Sequence, residues 1–110
     1  MLVKYNQHHL DLAFGALAHP IRRGILARLS AGEATIAELA KPFKVSAPAI
    51  TRHMRILEEA GLLSRKRQGR EHHCRLEQTR LKQAEAWIED HRKSWNGRLD
   101  ALERYLKENP

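Results

Sequence analysis

The sequence predicts a mainly α-helical domain of five helices carrying one small β-hairpin. Three observations predict it. Apolar residues recur at steps of three and four along most of the chain, as on helices with one buried face. Helix-starting and helix-ending signals punctuate that pattern. One stretch, residues 62–76, departs from it with two short extended runs about a glycine, which reads as a hairpin. With 110 residues the chain has the size of a single domain, read here as 1–110.

Leu10, Phe14 and Leu17 set a first helix over about residues 9–18. His19-Pro20 ends it, and Pro20 suits the first position of a second helix, where its missing N–H costs nothing. Ile21, Ile25 and Leu29 form the buried stripe of that helix, and Ser30-Ala31-Gly32 closes it. Thr35 and Glu38 have the spacing of a capping box, in which each side chain satisfies the other's backbone N–H. The short helix they open turns Ile36, Leu39 and Ala40 inward, and Pro42 stops it. After a tight Phe43-Lys44-Val45 connection, Ser46 caps the next helix and Pro48 lies in its first turn. Ile50, Met54 and Leu57 face inward, and Gly61 ends the helix. A short helix, a tight turn and a longer helix in succession make a helix-turn-helix.

The hairpin follows at once, Leu62 to Arg67 and Glu71 to Leu76 about Gly69, so it reads as a wing behind the helix-turn-helix. Residues 34–77 thus form one reading head. From Thr79 to Lys107 only Gly97 interrupts a final helix whose stripe runs through Leu81, Ala84, Ile88, His91, Trp95, Leu99, Leu102 and Leu106. Twenty-nine helical residues span about 43 Å. That exceeds what a domain of this size needs for its own core, so residues 79–107 are read as a dimerisation helix.

Charge narrows the function. Twenty Lys and Arg against thirteen Asp and Glu give +7, which favours a polyanionic partner. Residues 65–75 concentrate it, with five basic side chains (Arg65, Lys66, Arg67, Arg70, Arg75) against one acidic, Glu71. A single cysteine, Cys74, excludes an intramolecular disulfide. No signal segment or long apolar run is evident, so the expected compartment is the cytoplasm and no membrane contact is expected. There is no glycine-rich phosphate loop, nucleophile motif or framed pair of carboxylates, so no enzyme and no cofactor are expected. Glu58-Glu59 reads as a solvated helix end.

Three runs, Ala18–Leu29 (AHPIRRGILARL), Thr35–Ala40 (TIAELA) and Val45–Leu62 (VSAPAITRHMRILEEAGL), resemble the ArsR/SmtB family of bacterial repressors. The likeness continues through Arg67–Leu76 (RQGREHHCRL) and covers roughly residues 10–106. It implies a winged-helix homodimer paired through its first and last helices, which leaves its operator when a signal arrives. The metal-sensing patterns of that family are not matched. Residues 35–41 contain no paired cysteines, and Glu89-x-His91 is followed eleven residues on by Leu102 rather than histidine. The chain therefore resembles the metal-independent members, with no metal site expected.

The expected partner is double-stranded DNA bearing a pseudo-palindromic operator. With Ile50, Met54 and Leu57 inward, the opposite face of that helix offers Ser46, Ala47, Pro48, Thr51, Arg52 and Arg55 to a major groove. Arg52 can take guanine bidentately, Thr51 a base edge or phosphate, and Ala47 a thymine methyl. His53, beside the buried stripe, suits an internal hydrogen bond as well as DNA. Arg65, Lys66, Arg67 and Arg70 of the wing are assigned to the backbone or minor groove. The expected dimer interface comprises Leu10, Phe14, Ile88, His91, Trp95, Leu99, Leu102 and Leu106. Alternative readings are a repressor sensing metal through His8, His9 and His91 or redox state through Cys74, and a winged-helix module for protein or RNA.

Overall fold

Each helix begins where a side chain can occupy the free backbone N–H groups of its first turn. The computed structural model describes residues 6–109, so the ends of the expected 1–110 domain lie outside the described residues. Asn6 caps α1 (Gln7–Leu17) by accepting from the His9 N–H at 3.0 Å. The helix therefore starts two residues earlier than its apolar spacing indicates. His19 caps α2 (Pro20–Leu29), its Nδ1 accepting from the Ile21 N–H at 3.1 Å. The buried residues of α2 are Ile25, Leu26 and Leu29, while Ile21 only packs against the edge of the core.

Thr35 and Glu38 form the expected capping box of α3 (Ile36–Ala40). Thr35 Oγ1 accepts from the Glu38 N–H at 3.2 Å, and Glu38 Oε1 lies 3.4 Å from the Thr35 N–H. Pro42 then converts the chain into a 3₁₀ turn over Lys41–Phe43. Lys44 reverses direction in the left-handed region at φ 50°. Ser46 Oγ accepts from the Ala49 N–H at 3.3 Å and starts α4 (Ala47–Glu59). Its far end is a Schellman closure: the Leu62 N–H reaches Leu57 O at 3.0 Å and the Gly61 N–H reaches Glu58 O at 2.9 Å. Gly61 supplies the φ of +73° that this closure demands.

The hairpin is β2 (Leu63–Gln68) paired antiparallel with β3 (Glu71–Leu76). A strand absent from the sequence reading, β1 (Ala34–Thr35), pairs with the other edge of β3 through Ala34↔Cys74 and Thr35↔His73, giving the order β1-β3-β2. Two residues are too few to show a period, and Thr35 had already been assigned to the cap. It serves both roles.

Side chains alternate across this sheet. Leu63, Cys74 and Leu76 pack on or against the core, so Arg65, Arg67 and His72 share their side. Ser64, Lys66, His73 and Arg75 take the other. The core itself is centred on Ile25, Leu39, Ile50, Met54, Leu57, Leu62 and Cys74, all essentially inaccessible. The last helix, α5 (Thr79–Glu108), has 30 residues and is about 45 Å long. Its first half packs along α1, and Ala84 is its single buried residue.

Gly24 permits the closest approach within this core. A Cβ there would lie 2.7 Å from the far edge of the Phe43 ring, so the ring would have to move to admit a side chain. Gly24→Ala should cost about 1–3 kcal/mol by overpacking, offset by the roughly 0.5–1 kcal/mol that alanine gains over glycine inside a helix. The cost should shrink when Phe43→Leu is added, because the two sites touch. Thermal melts of both single variants and the double variant check this; additive losses would show the ring is not the obstacle.

Candidate nucleic-acid interface

The buried stripe of α4 fixes which of its side chains meet solvent. Ile50, Met54 and Leu57 are sealed in the core, so Ser46, Ala47, Pro48, Arg52 and Arg55 are exposed and Thr51 is half-buried. Arg52 and Arg55 make no ion pair among the described residues. Their charge is therefore available to a partner. The N-terminus of α4 adds its positive dipole end to the same face.

The wing lies beside that helix, and a cleft lined by Thr35, Ile36, Thr51, Arg70, Glu71 and His72 separates the two. Thr35 and His72 were not assigned to the site from sequence. The strand alternation that puts His72 on the α4 side of β3 was the available signal. Gly69, at φ +64°, leads the two-residue turn and leaves Arg70 exposed at the tip.

The four cations assigned to the wing do not act alike. Arg65 lies 2.9 Å from Glu58 Oε1 at the end of α4. Glu58 is thus half-buried against the wing rather than the solvated helix end expected from sequence. Arg67 donates through Nε to Gly69 O at 3.0 Å, bracing the turn. Lys66 stands on the opposite face of the sheet from both. Behind the wing, Glu77 accepts from Ser64 at 2.7 Å and from Arg75 at 3.2 Å. Those two bonds hold its carboxyl below the usual range. His53 is half-buried, its Nδ1 3.2 Å from Arg22.

The expected interface residues divide similarly. Leu10 is 5% exposed, already largely covered within its own protomer. Phe14, Ile88, Trp95, Leu99, Leu102 and Leu106 are open to solvent, with Leu99 at 63% exposure. His91 stacks on Trp87 at 4.4 Å and engages the Trp87 carbonyl at 2.8 Å, in a ring cluster that includes Trp95 and, through Trp87, Phe14. Among the described residues, His8, His9, His91 and Cys74 do not join any cluster of three metal-ligating side chains. Cys74 is fully buried, and desolvation pushes its pKa up to about 11, the opposite of an activated thiol.

A helix-turn-helix with a free cationic face and a basic wing defines a winged-helix DNA-binding protein. Residues 17–65 match a family profile described as a helix-turn-helix domain. The chain is 35% identical over 79 residues to the transcriptional repressor SdpR of Bacillus subtilis (strain 168), covering 72% of this chain and 88% of that one. It is 42% identical over 53 residues to the HTH-type transcriptional regulator Rv2034 of Mycobacterium tuberculosis, 48% of this chain and 50% of the relative. A crystal structure of an ArsR family transcriptional regulator superposes with a TM-score of 0.80 at 37% identity, covering 86% of this chain and 97% of that one. An ArsR-like transcriptional regulator from Rhodococcus sp. RHA1 gives 0.71 at 28% identity, over 90% and 93% of the two chains. The chain belongs to the ArsR family of DNA-binding transcriptional regulators, which are not enzymes. No helix among the described residues is long and apolar enough to cross a membrane.

The state of Cys74 gives a direct test. At pH 8 a small alkylating reagent should leave the folded protein unmodified and label it fully once denatured, as followed by mass spectrometry. Rapid labelling of the native protein would reopen a role for this thiol in sensing.

Proposed function

We propose that the chain is a homodimeric repressor of a pseudo-palindromic operator, paired through α1 and α5 and independent of a bound metal. The observation that carries this reading is the unpartnered apolar stripe of α5. Ile88, Trp95, Leu99, Leu102 and Leu106, with Phe14 on α1, are large apolar side chains that their own protomer leaves between 36% and 63% exposed. Burying a leucine or isoleucine contributes roughly 1.5–3 kcal/mol, so a second copy covering this stripe gains enough to form a stable pair. The name of the Bacillus relative supports repression, and the family supports the DNA partner.

In this dimer two α4 helices enter successive major grooves about 34 Å apart. Arg52 is assigned to base recognition, with Thr51 and Ala47 beside it. Arg55, Arg67 and Arg70 hold the phosphate backbone, which fixes register without reading sequence. Arg65 acts through Glu58, keeping the wing fastened to α4, and Lys66 contributes to the general field.

Two measurements test the reading. Arg52→Ala should weaken binding to a duplex enriched by the protein from a random pool and relax its sequence preference, losing about 1–3 kcal/mol of discrimination. Arg67→Ala should weaken binding to every duplex alike and lower the salt slope by about one. Unchanged selectivity in Arg52→Ala would remove that residue from the recognition surface. Leu99→Asp with Leu102→Asp should yield monomers in sedimentation and abolish tight binding. A wild-type chain that sediments as a monomer at micromolar concentration would overturn the dimer.

A further inference from the structure

Arg22, on α2, joins the end of α1 to the middle of α4. Its Nε donates to Ala16 O at 2.7 Å and its NH2 to Gly15 O at 3.3 Å, both carbonyls in the last turn of α1. Its NH1 lies 3.2 Å from Nδ1 of His53. A guanidinium only donates, so Nδ1 of His53 must accept and the neutral ring carries its proton on Nε2. The imidazole of His19 lies against that of His53, with ring centroids 4.5 Å apart. The Nδ1 of His19 is itself occupied by the cap of α2. His53 adjoins Arg52 and Met54 in sequence, so it sits between the exposed and the buried faces of α4.

We propose that His53 is a positioning residue for DNA recognition, and that its bond from Arg22 sets the orientation of α4 on α1 and is released when the ring is protonated. The inference rests on the DNA-binding role assigned to α4 above. A protonated ring carries N–H on both nitrogens, so the contact with Arg22 becomes donor against donor and cation against cation. The charged groups facing His53 are His19 from the α1–α2 junction, Arg22 from α2 and Arg52 on its own helix. No acidic side chain is among them. Desolvation, with these three neighbours, holds the ring's pKa below the ordinary histidine value. The latch is thus closed at neutral pH and opens only below about pH 6.5, the ordinary histidine value.

The direction of the effect separates this from general electrostatics. A general gain of positive charge on the protein as pH falls strengthens binding to DNA. An opened latch weakens it. The same sign holds for stability: the unfolded ring takes up a proton before the folded one, so stability is full above about pH 6.5 and falls as pH drops through the folded value.

The test has two arms. In the free protein, nitrogen-15 correlation spectra should show His53 as the Nε2–H tautomer, titrating below an ordinary histidine and shifting the α4 amides as it does so. Arg22→Gln should raise that titration point. In the second arm, affinity for an enriched duplex is followed from pH 7.5 to 5.5 at fixed ionic strength. With each protein normalised to its own affinity at pH 7.5, wild type should lose about tenfold relative to His53→Asn, whose Oδ1 takes the place of Nδ1 as acceptor from Arg22 without titrating. An Nδ1–H tautomer, or an ordinary titration point, overturns the latch. A normal latch with parallel pH profiles overturns its part in DNA binding. An altered sequence preference in His53→Asn at pH 7.5 makes His53 a base-reading residue instead. Failure to enrich any duplex overturns the DNA reading, and with it the positioning role, while the spectra still decide whether the bond exists.

Discussion

The architecture depends on the burial of one stripe of α4. Ile50, Met54 and Leu57 are withdrawn from water almost completely, and they share one buried cluster with Ala13 and Ala16 of α1, Ile25 and Leu29 of α2, Leu39 of α3, and Leu63 and Cys74 of the sheet. Rotating α4 by even one residue, about 100°, would place Thr51 or Arg55 where a methyl-sized gap is the tolerance. The orientation of the exposed face is therefore decided by packing and not by anything on that face. Its cations can be chosen for a ligand without consequence for the fold.

Around that anchor the polar contacts act mainly as angle-setters. Glu58 and Arg65 fasten the end of α4 to the base of the wing, and Arg22 spans α1, α2 and α4. The Schellman closure at Gly61 brings the chain off α4 straight into β2. None of these is a large stabilising term on its own, since partly exposed charged pairs contribute about a kilocalorie or less. Together they make the helix and the hairpin one body, so a shift in either is felt by the other.

Most of the fold was legible in the sequence because it is written in local signals. Capping residues, a proline at a helix start and glycine at a helix end act over four residues, and each of Thr35, Ser46 and Gly61 does what its position indicates. The start of α1 was missed because Asn6 precedes the first apolar step. The strand at Ala34–Thr35 was missed because it exists only through its pairing with β3. The site was legible at the level of which face of α4 is free. It was less so for the wing, where a run of like charges conceals that Arg65 is paired with Glu58 and that Lys66 faces the other way. Leu10 shows the same limit: an apolar residue at helical spacing has no mark telling whether its cover comes from its own chain or from another.

The enclosure of Cys74 beneath the sheet has a practical consequence. It is the sole thiol of the chain and it faces the interior between α2, α4 and the wing. A cysteine placed at the exposed tip, at Arg70 for instance, would then be the only accessible thiol. Fluorophores or spin labels attached there report the approach of the hairpin to a duplex without background, and the distance between two such labels reads out the span of an assembled pair.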